Sequence, residues 1–139
     1  KNIELLLSHK IKNIELKTSI PPGFKFNFSK VITTQVLINL ISNSLDAIKT
    51  VKSPGIEVSV KCEYRKIILT VADNGPGLLP GQEKNLFDAF FTTKRDSGGT
   101  GLGLYVSRRV MRTLGGDLIK TGKNDRTEFQ MIIPIQEAA

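Results

Sequence analysis

The chain has 139 residues, 40% of them apolar and 24% charged, which is the composition of one globular domain long enough to bury a core. No apolar run reaches the length of a membrane span, no signal-peptide pattern opens it, and a single cysteine excludes an internal disulfide. The formal charge of +7 is spread along the chain without an aromatic-interleaved basic motif, so it predicts solvated faces with some local attraction for polyphosphate and no nucleic-acid partner.

In chain order, Glu4 to Lys12 reads as the end of a helix, and Ile14, Leu16 and Thr18 alternate with charged residues as in a strand stopped by Pro21-Pro22. Phe24, Phe26 and Phe28 alternate again. The strongest helix pattern runs from Ser29, an N-cap residue, to Lys49, with Val36, Leu37, Leu40, Ile41, Leu45 and Ile48 at helical spacing. Residues 55–63 and 66–72 are predicted strands joined by a tight turn around Arg65, and Cys62 falls in the alternation Ile56, Val58, Val60 as a small buried strand residue. A loop follows from Asp73 to Pro80, then a short helical piece from Leu86 to Phe90. A glycine-rich segment leads into a helix with Leu102, Leu104, Val106, Val110 and Met111 on one face and Arg108, Arg109 and Arg112 off it. Two strands close the chain, near 116–122 and 127–134. Short hairpins between helices predict an antiparallel or mixed sheet with helices on one face.

Three stretches carry chemistry. Gly98, Gly99, Gly101 and Gly103 stand directly before a helix, where free backbone amides and the helix dipole suit an anion, although a plain turn also uses glycine. No Gly-Lys-Ser/Thr occurs, and Gly101-Leu-Gly103 lacks the third glycine of a dinucleotide fingerprint, so both of those phosphate loops are excluded. Asn39 and Asn43, one turn apart, place two amides on one helix face. They suit either a buried pair bonded to neighbouring backbone or neutral oxygen ligands for Mg2+. Asp73-Asn74-Gly75-Pro76-Gly77 at a strand end is either a turn or a carboxylate placed to accept from an adenine amino group.

The order of these stretches resembles the ATP-binding domain of sensor histidine kinases, within the superfamily of gyrase, the heat-shock chaperone ATPase and the mismatch-repair ATPases. NLISNSLDA is similar to its N box, DNGPGL to its first glycine box, LFDAFFTTK to its F box and GGTGLGL to its second glycine box; the combination looks most like the nitrogen-regulation type. The resemblance covers nearly the whole chain. It implies a two-layer α/β sandwich of the Bergerat type, with a mixed, mostly antiparallel sheet, helices on one face, and an ATP lid around residues 91–100.

Carried over to this sequence, the resemblance implies that Asp73 holds the adenine amino group, that Gly75 and Gly77 shape the base pocket, and that Asn43, helped by Asn39, binds Mg2+. Gly99, Gly101 and Gly103 would line the triphosphate, Thr127 would stand near the base, and Lys94 would be the lid cation for a terminal phosphate, its plain alternative being a solvated loop lysine. The same boxes bring Asp46, Leu78, Phe87, Thr93, Thr100, Leu102 and Leu104 to the nucleotide, and Asn39 and Lys94 would serve catalysis. Two positions depart from the pattern: Asp46-Ala47 replaces a Lys-aromatic pair, and Arg126 replaces the glycine before Thr127.

The related ATPases carry a glutamate four residues before the Mg2+ asparagine as general base to water; here that position is Asn39, which takes no proton. Histidine phosphorylation needs less help, because a neutral imidazole is already nucleophilic near neutral pH. The expected activity is therefore transfer of the γ-phosphoryl group of Mg-ATP to histidine, with a GHKL-type ATPase or a regulatory ATP-binding module as alternatives. His9, in SHKIKN, lacks the acid and proline of the family's acceptor box and reads as a surface residue. Residues 1–12 are expected to end the dimerisation hairpin and 13–139 to form the catalytic domain, in a chain that starts without Met and so reads as an excised piece. The implied partners are the histidine-bearing dimerisation domain of the same protein and a response regulator receiver domain. The implied setting is cytoplasmic, with a homodimeric parent that a membrane anchor would be free to tether.

Overall fold

A computed structural model describes residues 15–19, 27–78, 81–90, 102–122 and 126–135. Five strands form one sheet, β1 (Glu15–Ser19), β2 (Gly55–Glu63), β3 (Lys66–Asp73), β4 (Asp117–Thr121) and β5 (Thr127–Pro134), in the order β1-β2-β3-β5-β4. β1 pairs parallel to β2 and every other pair is antiparallel. The one parallel pair needs a crossover, and α1 (Lys30–Ala47) supplies it.

Alternation along the strands sorts the sheet into rows. Ile56, Asp73 and Thr127 share one row, Val58, Val71 and Phe129 the next, then Val60, Leu69, Met131 and Leu118. These rows hold the buried side chains and face α1 and α2 (Gly103–Thr113), so both helices cover one side of the sheet. Leu40, Met111, Leu118, Met131 and Ile133 lie at its centre, each with no exposed surface. The expected two-layer sandwich, with helices on one face of a mostly antiparallel sheet, is the one observed; the lid expected around residues 91–100 lies outside the described residues.

Local chemistry sets the element ends. Ser29 caps α1, its Oγ accepting from Ile32 N at 3.2 Å. The helix stops at Ala47, two residues before Lys49, with Ile48 as C-cap. The β2–β3 hairpin turns through Tyr64 and Arg65, both at positive φ (50° and 63°), as a two-residue loop matched to strand twist demands.

Three expectations are corrected. Cys62 is exposed, not buried. β1 pairs with β2 only as far as Ser59, so among the described residues nothing flanks the end of β2 on that side. The helical piece near the F box is a 3-10 turn at Gln82–Asn85, ahead of Leu86 rather than after it. On α2 the buried stripe is Ser107 and Met111 with Leu104 packed against the core, while Val106 is 48% exposed. A serine thus takes an inward position that the apolar pattern had given to valine. Residues 4–12, Pro21-Pro22, Phe24 and Phe26 lie outside the described residues.

Candidate nucleotide site

Asp73 ends β3 and Thr127 begins β5, and the register sets them directly opposite each other. Both are buried, at 4% and 8% exposure. Paired strand residues stand with Cβ atoms about 5 Å apart, so the two side chains share one small space at the sheet's end. Asp73 Oδ1 accepts from Gly75 N at 2.9 Å. That bond curls the chain into a turn and fixes the carboxylate.

The following residues are held by specific contacts. Asn74 spans to the loop before β2, with Oδ1 accepting from Gly55 N at 2.9 Å and Nδ2 donating to Ser53 O at 2.8 Å. A Cβ at Gly75 would lie 2.8 Å from the Ala47 carbonyl oxygen, so only glycine lets the turn meet the end of α1. Gly77 has φ 78°, a left-handed conformation that glycine adopts freely. Leu78 packs on the core.

From the other side, α1 presents Asn39, Asn43 and Asp46. Asn39 Nδ2 donates to Ser107 Oγ on α2 at 3.2 Å, and a Cβ at Gly103 would lie 2.6 Å from Asn39 Oδ1. The first residue of α2 is thus seated on the Asn39 amide. Asn43 stands half-buried one turn further on. Asp46 pairs with Lys49 at 3.2 Å on the surface. Between the helices opens a cleft of about 250 Å3, lined by Ile32, Val36, Asn39, Leu102, Val106 and Val110 among others.

Phe87 bridges β5 and α2. Its ring meets Phe129 edge-on, centroids 6.3 Å apart, and the Arg108 guanidinium lies 4.5 Å from the Phe87 centroid on α2. Asp117 holds that arginine, its Oδ1 accepting from Arg108 Nε at 3.2 Å, Arg112 Nε at 3.0 Å and Leu118 N at 2.8 Å. Burial pushes the Asp117 carboxyl up, but the Leu118 amide and the Arg112 and Arg108 guanidinium groups outweigh it and leave it below its usual range.

The structure therefore gathers Asp73, Gly75 and Thr127 at the sheet's end and brings Asn39 to Leu102 and Gly103 at the start of α2, while Leu104 packs on the core. Thr93, Lys94, Gly99, Thr100 and Gly101 lie outside the described residues. Sequence reasoning missed Ser107, Arg108 and Asp117. Ser107 had one available signal: a hydroxyl three residues after Leu104 and four before Met111, on the inward stripe.

Arg126 resolves one of the two departures. It turns to the sheet surface, pairing with Glu57 at 2.8 Å and Glu128 at 3.2 Å, and leaves Thr127 in register with Asp73.

Comparisons with known proteins agree with this fold. Residues 30–137 match the family described as histidine kinase-, DNA gyrase B-, and HSP90-like ATPase. The sensory histidine kinase/phosphatase NtrB of Rhizobium meliloti (strain 1021) is 36% identical over a 130-position alignment that covers 84% of this chain and 33% of that protein. The solved catalytic domain of histidine kinase ThkA superposes with a TM-score of 0.83 at 27% identity, covering 96% of this chain and 90% of that one. Full-length ShkA in complex with AMPPNP matches with a TM-score of 0.83 at 25% identity, over 99% of this chain and 29% of that one. The chain spans 12% to 37% of the length of the curated relatives it matches. No helix among the described residues is long and apolar enough to cross a membrane. The chain belongs to the histidine kinase-, DNA gyrase B- and HSP90-like ATPase family, as a catalytic ATP-binding domain of the sensor histidine kinase type.

Proposed function

We propose that this domain binds Mg-ATP and directs its γ-phosphoryl group to a histidine on another domain of the same protein. The observation that carries the reading is the buried Asp73 carboxylate beside Thr127 at the end of the sheet, next to a turn that only Gly75 can make. Such a carboxylate accepts a hydrogen bond from an adenine amino group and rejects a carbonyl oxygen. Thr127 supplies a hydroxyl in the same space.

The residues present fit the metal as well, with the two asparagines playing different parts. Asn39 spends its amide nitrogen on Ser107 and seats Gly103, so we assign it to hold the two helices together at the site. Asn43 is the better Mg2+ ligand, as a neutral oxygen donor one turn away. Mg2+ would neutralise charge on the phosphates when bound. Asn39 also puts a neutral amide on α1 where the related ATPases carry a glutamate base, which supports transfer over hydrolysis. The apolar cleft between α1 and α2 adjoins Asn39, and we place the histidine-bearing helical domain there. We further propose a homodimeric parent, a cytoplasmic setting and a receiver-domain partner; histidine kinase ThkA, of the same fold, has been solved with a response regulator.

Calorimetry with ATP and GTP tests the base assignment. At about 1–3 kcal/mol per unsatisfied buried group, ATP should be preferred roughly ten- to several hundred-fold, and Asp73→Asn should lose ATP affinity while keeping the fold. Equal affinities would sink the assignment. With γ-labelled ATP, acid-labile phosphohistidine should appear on the acceptor domain added in trans, while turnover without it stays slow. Rapid release of phosphate without an acceptor would favour an ATPase.

A further inference from the structure

We propose that Arg108 is a positioning residue for the nucleotide site, acting through Phe87, and that Asp117 fixes it in that role. The inference rests on the nucleotide-binding reading above and adds a chain of contacts that links α2 to β5 beside Thr127.

Three arginines lie on α2 within five residues, and the structure separates them. Arg109 donates to Tyr105 Oη at 3.0 Å on the exposed side. The Arg112 side chain is 55% exposed, while that of Arg108 is 27% exposed and sits against the Phe87 ring. A guanidinium 4.5 Å from a ring centroid lies within cation–π range, and its partly desolvated position strengthens the attraction. The carboxylate of Asp117 fixes the guanidinium from behind, itself anchored to the backbone of β4 by Leu118 N.

Contacts continue in one line from this clamp to the proposed base site. Phe87 meets both the Arg108 guanidinium and the Phe129 ring, and Phe129 stands two residues along β5 from Thr127, which lies opposite Asp73. Within residues 86–90, Leu86 is buried, Phe87 is half-buried, and Asp88, Ala89 and Phe90 are exposed. Phe90 also has φ 68°, an unfavourable conformation for a bulky residue, which the chain tolerates only where its neighbours are held. Arg108 thereby ties the F-box segment to α2, whose first residue rests on Asn39. A simple surface ion pair would account for Arg108–Asp117 but not for a ring enclosed between a guanidinium and a core phenylalanine.

The test is a double-mutant cycle in Mg-ATP affinity on the 139-residue chain, using Arg108→Ala, Phe87→Leu and both together. Arg108→Ala should weaken binding about five- to tenfold, a cation–π contribution of ordinary size. In the Phe87→Leu background the same change should add little, since its route to the site is gone. Arg108→Lys, which restores a cation over the ring, should recover most of the loss, and Arg109→Ala should cause none. A full Arg108→Ala effect in the Phe87→Leu background would overturn the proposal, as would an equal loss from Arg109→Ala. Hydrogen exchange without nucleotide separates this inference from the functional reading. Arg108→Ala should speed exchange at residues 86–90 several-fold over both the unaltered chain and Arg109→Ala, whether or not ATP binds. Unchanged exchange there overturns the role of Arg108. Absent ATP binding by the unaltered chain overturns the functional reading alone.

Discussion

A Cβ added at Gly75 meets the backbone oxygen of Ala47 at 2.8 Å, and one added at Gly103 meets the side-chain amide of Asn39 at 2.6 Å. The two clashes differ in what can yield. Backbone at the end of α1 cannot move without disturbing the helix, so Gly75→Ala should destabilise the domain by about 1–3 kcal/mol. Asn39 can rotate away from Gly103, at the cost of its bond to Ser107, a loss of about 1 kcal/mol. Alanine at the start of a helix returns up to about 1 kcal/mol of propensity. Gly103→Ala should therefore leave thermal stability almost unchanged while weakening Mg-ATP binding, because the amide that seats α2 has turned. Thermal unfolding and calorimetry on both variants check the contrast. A stable Gly75→Ala protein would contradict it, as would unchanged nucleotide affinity in Gly103→Ala. The glycine boxes were legible as motifs, but which partner each glycine makes room for was not, since Ala47 and Asn39 come from a helix far earlier in the chain.

At the scale of elements, α1 is the clearest reading. Its cap residue, its apolar spacing and its length all point the same way, and the helix forms from Lys30 to Ala47 with Ser29 Oγ accepting from Ile32 N. Ser29→Ala should cost about 1 kcal/mol, the usual worth of an N-cap, measurable as a lower urea midpoint with unchanged m. A midpoint equal to that of the unaltered chain would mean that the Ile32 amide finds another acceptor. The second helix shows where such reading stops. An apolar set of Leu102, Leu104, Val106, Val110 and Met111 defines a broad stripe, but one flank packs on the sheet and the other lines the open cleft beside α1. Periodicity reports that a face is apolar, not what it faces. Cys62 fails for the same reason: alternation assigned its side correctly with Ile56 and Val58, yet β1 ends too early to flank it.

The two layers are also joined by charge. Asp117 on β4 binds Arg108 and Arg112 on α2, and its carboxyl is held below its usual range despite partial burial. A depressed carboxylate contributes stability that is fully present above the unfolded-state value near 3.9 and is lost as pH falls through the lower folded value. Asp117→Asn should thus lower thermal stability at neutral pH and bring the variant and the unaltered chain together under strong acid. A difference that persisted at the acid end would mean the asparagine disturbs packing rather than charge. Across the whole molecule, the sequence by itself determined the helix and strand periods, the cap at Ser29, the four boxes and their order, because these depend on local propensity and on spacing along the chain. Tertiary structure alone decided that Asp73 stands opposite Thr127, that Asn39 meets Ser107 and Gly103, and that Arg108 rather than its neighbours covers Phe87. Those pairings join residues 21 to 68 positions apart, and strand register and helix docking bring them into range, neither of which leaves a periodic mark in sequence.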